Sequence, residues 1–129
     1  MHRPFLKSGA FFALVAVILG AFGAHSLKAI FPEKAIAIYE TGVKYQFYHS
    51  IALIVCGIIY KEFANKFTVL AGRFFIVGII LFSGSLYFLT FLIGVQNDSL
   101  NWVGILTPIG GVFFITGWVL LILAVRRIK

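Results

Sequence analysis

Four long apolar stretches, separated by the few charged residues of the chain, restrict most strongly what this sequence can fold into. They lie at about 5–24, 43–60, 74–95 and 103–125. A helix of about 20 residues crosses the hydrocarbon core of a bilayer. The 129 residues are 61% hydrophobic and only 12% charged, which leaves too little polar surface for a water-soluble particle. The sequence therefore predicts an all-α membrane protein, a single domain over 1–129 built as a four-transmembrane-helix bundle.

A net charge of +7 is also typical of proteins that bind nucleic acid, but here the basic residues flank the apolar stretches and form no stripe on one face. This pattern favours the lipid bilayer as the partner and no nucleic acid. Three lysines, Lys28, Lys34 and Lys44, fall on one predicted side. Eight basic residues fall on the other side, namely Arg3, Lys7, Lys61, Lys66, Arg73, Arg126, Arg127 and Lys129. Because cytoplasmic segments carry the excess of Lys and Arg, we expect a multi-pass plasma (inner) membrane protein with both termini in the cytoplasm.

The first apolar stretch could also be a cleaved secretory signal peptide. Arg3 and Lys7 precede it, and 21–23 (AFG) resembles a small-residue cleavage site. The apolar run is longer than the usual core of a signal peptide. We therefore expect this stretch to be retained as the first membrane helix.

The second helix should be longer than its apolar part. Pro32 is suited to a first helical turn, and no other proline follows before Tyr60. An unbroken helix over this range would be about 43 Å long at ~1.5 Å per residue, so we expect it to extend beyond the hydrocarbon or to bend at Gly42. Glu40 and Lys44 are spaced for an ion pair on its surface. In the fourth stretch, Pro108 removes a backbone donor and should bend the helix.

Polar side chains recur on one face of three apolar stretches. In the second stretch Gln46 and His49 share a face with Gly42, Leu53 and Cys56, whereas the aliphatic residues fall opposite. Polar groups at such depth turn toward the bundle. The candidate polar cluster comprises His25, Gln46, His49, Ser83, Tyr87, Thr90 and Thr107. Two interpretations stay open: an outward-facing cavity that holds water, an ion or a small ligand, and a set of hydrogen bonds that joins helices.

Small residues at helical spacing predict where helices approach closely. In the first stretch they form a strip, and in the fourth they lie beside the polar stripe. The candidate helix-packing residues are Gly9, Ala13, Ala16, Gly20, Gly23, Gly104 and Gly111.

The chain carries no pattern typical of an enzyme, a metal site or a cofactor site. His49 has no acidic residue within a span to orient it, and Ser50 points to a different face, so we assign no catalytic residue. The single cysteine, Cys56, excludes an intramolecular disulfide. Intramembrane carboxylates that would indicate ion-coupled transport are not evident. The leading hypothesis is a non-enzymatic structural, accessory or partner-binding protein, with a membrane-protein partner or a second copy. The alternative is a small-molecule or ion carrier that uses the polar cluster.

Four motifs resemble those of one family of small membrane proteins. They are 22–27 (FGAHSL), 39–50 (YETGVKYQFYHS), 82–87 (FSGSLY) and 107–111 (TPIGG). In this order they are similar to the family that includes bacterial YgdD and YwdK and animal transmembrane protein 256. The resemblance covers nearly the whole chain and implies four spans in an inner membrane, but it supplies no activity because the family's function is uncharacterised. It also implies that the family's motifs contain His25, Glu40, Gln46, His49, Ser83, Ser85 and Tyr87.

Overall fold

The computed structural model describes residues 1–126, and these residues contain helices and no strand. Two basic residues of the charge count above, Arg127 and Lys129, lie outside the described residues. Short 3₁₀ turns precede α2 and α5, at Leu27–Ala29 and Asn101–Ile105, and a π-helical segment, Ile79–Ser83, joins α3 to α4. The five α-helices are α1 (Arg3–His25), α2 (Glu33–Ile59), α3 (Lys66–Gly78), α4 (Gly84–Gly94) and α5 (Leu106–Arg126).

Four helical stretches of the described chain are long and apolar enough to cross a membrane. These are Arg3–Ala29, Glu33–Ile59, Lys66–Gly94 and Asn101–Arg126. The predicted all-α architecture with four crossings is therefore confirmed. α3, the π-helical segment and α4 together make the third crossing, and α2 packs against α1, α3 and α4 while α5 packs mainly against α3.

The third crossing begins well before the apolar stretch that predicts it. The side chain of Asn65 accepts hydrogen bonds from the backbone amides of Phe67 and Thr68, which caps α3 and starts the helix at Lys66. A hydropathy pattern does not register this start, because Lys66 and Arg73 make the first turns polar. Asn65 also donates from Nδ2 to the carbonyl of Ala124 at 3.2 Å, which ties this end of α3 to the end of α5.

α2 is the most buried of the four crossings and forms one uninterrupted α-helix of 27 residues. No break occurs at Gly42, where a bend was one of the two expectations for this helix. Its two faces follow the predicted division: Leu53 and Cys56 are fully buried, whereas Ile51 and Val55 are exposed to the surroundings of the bundle. Leu53 and Cys56 pack beside Phe75, and these three residues form the centre of the hydrophobic core.

The predicted ion pair between Glu40 and Lys44 is wrong. Glu40 instead pairs with Lys28, whose Nζ lies 3.5 Å from its Oε1. Lys28 lies in the 3₁₀ turn that follows α1, so the pair crosses from this turn to α2. Spacing along one helix cannot anticipate a partner that the folded chain brings from another element.

The position of Pro108 within its helix differs from the prediction, which placed it in the helix interior where it would bend the helix. Pro108 is the third residue of α5, so it falls in the first turn, where a missing backbone donor leaves no hydrogen bond unmade.

The strip of small residues on α1 lies along α2. Ala16 is 1% exposed and Ala13 is half-buried, and a Cβ on Gly20 would lie 3.4 Å from Val43. At Gly9 a Cβ would lie 2.9 Å from the carbonyl oxygen of Ser50, and at Gly23 it would collide with the ring of Tyr39. These two glycines therefore allow a backbone and an aromatic ring of α2 to approach α1 closely.

The small residues of the fourth crossing are arranged differently from the prediction. A Cβ on Gly104 or Gly111 would meet its nearest atoms only at 3.7 Å and 3.9 Å, which is ordinary contact. The close approaches are made by Gly110, against the backbone of Phe82, and by Gly117, against the ring of Phe75. Gly110 thus lets α5 pack directly on the π-helical segment.

Adjacent glycines of α5 provide a matched test of this packing. We expect Gly110→Ala to lower the free energy of unfolding by about 1–3 kcal/mol, because the methyl group collides with backbone atoms that cannot rotate away. Gly111→Ala should leave it unchanged or raise it by up to about 1 kcal/mol, since Ala is the better helix former. Equilibrium unfolding in mixed micelles, followed by circular dichroism, measures both. Equal effects of the two substitutions would show that Gly110 does not set the distance between α5 and the π-helical segment.

Candidate functional site

Gln46 is the central residue of the candidate polar cluster and is 3% exposed. Its Nε2 donates to the carbonyl of Phe12 on α1 at 2.9 Å, and its Oε1 accepts from the hydroxyl of Tyr87 on α4 at 2.7 Å. Both ends of the amide are therefore bonded. One side chain of α2 joins the helix before it and a helix of the third crossing.

Two further hydrogen bonds flank Gln46 on α2, one to α1 and one within α2 itself. The hydroxyl of Tyr39 donates to the carbonyl of Leu19 on α1 at 2.5 Å, and the ring of Tyr39 lies 5.5 Å from that of Tyr87 between centroids. Ser50 is fully buried and donates to the carbonyl of Gln46 at 2.5 Å. Gln46 and Tyr39 therefore bind α1 at two levels, one helical turn on either side of Val43.

His49 forms a second bonded group, separate from Gln46. Its Nδ1 lies 2.7 Å from the carbonyl of Tyr45, and the indole Nε1 of Trp118 donates to its Nε2 at 3.1 Å. An indole N–H can only donate, so Nε2 carries the lone pair and Nδ1 carries the proton. The geometry thus assigns a neutral imidazole with both nitrogens occupied.

Aromatic rings enclose the imidazole of His49. It stacks on the ring of Phe114 with centroids 3.5 Å apart and an interplanar angle of 7°, and Phe75 lies 5.7 Å away. The side chain of His49 is 5% exposed. This environment leaves no room for a ligand beside either ring nitrogen.

The hydroxyl groups of the third crossing bond mainly to backbone carbonyls. Ser83 donates to Gly42 at 2.7 Å, and Thr90 donates to Leu86 at 2.8 Å with Ala35 at 3.4 Å. These bonds satisfy the hydroxyl groups where no water is present to do so. The hydrogen bonds from Ser83 and Thr90 to carbonyls of α2 also hold the third crossing against that helix.

Ser85 and Thr107 form a bridge between the third and fourth crossings. Ser85 donates to the carbonyl of Phe82 at 2.8 Å, and the hydroxyl oxygens of Ser85 and Thr107 lie 2.6 Å apart. Because the proton of Ser85 is used on Phe82, Thr107 is the donor to Ser85. The carbonyl of Phe82 belongs to the π-helical segment, whose wide turn offers it to a side chain.

The structure thus distributes the predicted cluster among several bonded groups. Gln46 and Tyr87 bond to each other, whereas His49 bonds to Trp118 and Thr107 to Ser85. His25 does not join any of them, because it lies exposed at the end of α1. Among the described residues, no buried side-chain nitrogen or oxygen lacks a hydrogen-bond partner. A cleft of about 420 Å³ lies elsewhere, at the beginning of α2.

Several partners in these groups are missing from the sequence-based cluster. Tyr39 and Ser50 lie seven and four positions from Gln46, so helical spacing could have included both. Trp118 gave no such signal, because it lies on an apolar stretch distant in sequence from His49. Every residue has a backbone carbonyl, so the sequence does not indicate that those of Phe12 and Leu19 accept these hydrogen bonds.

The potential metal ligands of the described chain lie apart from one another. No group of three or more His, Cys, Asp or Glu side chains within residues 1–126 could hold a metal ion. His2 caps α1, where its Nδ1 accepts from the amide of Phe5 at 3.3 Å. Cys56 is buried in the hydrophobic core and lies about 10 Å from His49 along α2, at ~1.5 Å per residue.

Proteins of similar sequence occur in distant bacteria. The UPF0382 membrane protein YwdK of Bacillus subtilis is 40% identical over 123 residues, which are 95% of each chain. A UPF0382 membrane protein of Staphylococcus epidermidis is 41% identical over 97% of each chain. One of Haemophilus influenzae is 38% identical over 92% of this chain and 90% of its own. No solved structure matches the chain.

A family model described as "Protein of unknown function (DUF423)" matches residues 19–111. This range contains α2, the whole third crossing and the start of α5, and therefore most of the bonded groups described above. The relatives carry the name of membrane proteins and none has an enzymatic name. The chain belongs to the DUF423 family of membrane proteins, whose function is unknown.

Proposed function

We propose that this protein is a non-enzymatic structural or accessory component of the plasma membrane, which acts through contacts with a membrane-protein partner or a second copy. The observation that carries the proposal is the bonding of Gln46. Both polar ends of its amide are used inside the protein, on Phe12 and Tyr87. A residue that bound a transported solute would have to present a free donor or acceptor.

His49 supports the same conclusion from a separate part of the bundle. A general base needs an accessible lone pair, yet Nε2 of His49 already accepts from Trp118. Ser50, the adjacent hydroxyl group, donates to a carbonyl of its own helix. Neither residue is therefore arranged as a nucleophile or a base.

The outer faces of α1 and α5 suit contacts within the membrane. Val17 and Ile18 of α1 and Ile115 and Ile122 of α5 are each more than half exposed. Side chains of this kind pack equally well against acyl chains and against an apolar partner helix. No charge on these central turns would oppose such a partner.

Charge at the two ends of the bundle supports cytoplasmic termini. The amide of His2 donates to the carbonyl of Gly57, and Asn65 bonds to Ala124. The beginning of α1, the 60–65 connection and the end of α5 therefore share one end of the bundle. In the described chain this end has six Lys and Arg residues and one acidic residue, Glu62. The other end balances three lysines with Glu33, Glu40 and Asp98. By the positive-inside rule the first end faces the cytoplasm.

Reporter fusions test this orientation. A fluorescent protein that folds only in the cytoplasm should be active when fused after the last residue, and alkaline phosphatase should be inactive there. Within the 96–101 connection the two results should be reversed, because that connection lies at the opposite end. Phosphatase activity at the C-terminus would contradict the proposed topology.

Removal of one hydroxyl group tests the role of the Gln46 group. We expect Tyr87→Phe to lower the free energy of unfolding by about 1–3 kcal/mol, because the Oε1 of Gln46 is left without its donor in a water-free environment. Tyr48→Phe is the matched control, since Tyr48 is exposed and makes no hydrogen bond among the described residues. Equilibrium unfolding in micelles measures both. Equal stabilities of the two variants would show that the bond does not hold α2 and α4 together.

Ion flux separates the structural proposal from a carrier. We expect vesicles that contain the purified protein, a trapped pH-sensitive dye and a potassium gradient with valinomycin to show proton flux no faster than protein-free vesicles, because no open polar path lies beside His49. The proposal fails if the protein conducts protons and His49→Phe abolishes the flux while the helical circular dichroism spectrum is unchanged.

A further inference from the structure

A cleft of about 420 Å³ opens at the end of the bundle opposite the described N-terminal segment. Its walls come from the 3₁₀ turn after α1, the residues that follow it and the first two turns of α2. The volume lies within the range of about 300–1,000 Å³ that small-molecule sites occupy. Lys28, Phe31, Glu33, Ile36, Ala37 and Glu40 line the cleft.

The length of α2 determines the depth of this cleft in the membrane. The helix has 27 residues and is about 40 Å long, whereas the hydrocarbon core is about 30 Å thick. About 20 residues suffice to cross that core, and counted from Ile59 they end at Glu40. The segment from Glu33 to Glu40 therefore lies among the lipid headgroups.

The charges of the cleft have a definite arrangement. Glu33 and Glu40 are seven residues apart, so they lie on the same side of α2, about 10 Å from each other along the axis. Ile36 and Ala37 lie between them and form an apolar floor. Lys28 pairs with Glu40 at 3.5 Å, whereas Glu33 has no ion-pair partner within the described chain. The cleft therefore offers one unpaired carboxylate, one ammonium group in an exposed ion pair, and an apolar surface.

We propose that this cleft binds the headgroup of phosphatidylethanolamine. The ammonium group of the lipid bonds to Glu33, and its phosphate bonds to Lys28, which turns from Glu40 toward it. The ethylene unit of the headgroup, between its ammonium group and its phosphate, lies on the apolar floor of Ile36 and Ala37. No residue of the Gln46 or His49 groups takes part, so the proposal is independent of the structural function proposed above.

Chemistry selects this headgroup over other membrane lipids. A primary ammonium group has three N–H donors for a carboxylate, whereas a choline group has none and needs an aromatic cage. Phe31 is the single aromatic residue of the lining. The lining carries two carboxylates and one ammonium group, so a headgroup with net negative charge, such as phosphatidylglycerol, is disfavoured.

Lipid retention measures this preference. The full chain is reconstituted in bilayers with equal amounts of phosphatidylethanolamine, phosphatidylcholine and phosphatidylglycerol, extracted gently, and examined by native mass spectrometry for retained lipid. We expect phosphatidylethanolamine to be enriched about five- to tenfold over phosphatidylcholine, as one charge-assisted hydrogen bond provides. Equal retention of the three lipids would overturn the proposal.

Matched substitutions assign the preference to the cleft. Glu33→Gln should remove the enrichment, and Glu62→Gln, the same change at the opposite end of the bundle, should leave it intact. Lys28→Gln should likewise lower retention, whereas Lys34→Gln should not, because Lys34 is exposed and outside the lining. Both lining residues are at the surface, so the variants should retain the helical circular dichroism spectrum. The same effect from Glu33→Gln and Glu62→Gln would overturn the assignment.

Free phosphoethanolamine separates the headgroup from the lipid. Added to the reconstituted protein, it should displace phosphatidylethanolamine only at concentrations at least about tenfold higher, because no acyl chain holds it at the membrane surface beside the cleft. Equally strong binding of the two molecules would refute a lipid site.

Discussion

The need to pair every buried polar group without the help of water dominates this structure. In hydrocarbon an unpaired donor or acceptor costs several kcal/mol, so a glutamine at the centre of α2 is tolerated only where both ends of its amide are bonded. Gln46 meets this condition with a carbonyl of α1 and the hydroxyl of Tyr87. The two partners belong to different crossings. Satisfying one side chain therefore specifies how three helices are arranged around it.

Close packing by small residues makes these bonds possible. A side chain as short as Gln46 reaches the backbone of α1 only because that helix approaches α2 closely, at Gly9, Ala16 and Gly23. The fourth crossing follows the same rule at Gly110, which lies on the backbone of the π-helical segment. Acyl chains are as apolar as the helices, so burying apolar surface between helices contributes little free energy in lipid. Van der Waals contacts and hydrogen bonds therefore determine which arrangement of the helices is preferred.

Hydropathy and helical spacing predict the parts of this fold that depend on one helix at a time. They predict the four crossings and the buried face of α2, with Gln46 and His49 on it. They fail where a second element decides the outcome. Lys28, from the turn after α1, replaces Lys44 as the partner of Glu40, and Trp118 reaches His49 from the fourth crossing. Among adjacent glycines, only the position of Phe82 distinguishes Gly110 from Gly111. Such choices depend on the relative rotation of helices, which no single apolar pattern encodes.

The two kinds of polar residue in this protein occupy different depths and therefore have different chemistry available. Within the hydrocarbon, each described buried side chain that can bond is already bonded, so exchange with a ligand would cost an existing hydrogen bond. At the headgroup level the medium is wet, and Glu33 is exposed there without an ion-pair partner in the described chain. Binding a ligand there has a lower free-energy cost, because contacts with the ligand replace contacts with water. Both proposals follow this division: the structural role is assigned to the bonded interior of the bundle, and the recognition of a lipid headgroup is assigned to its outer rim.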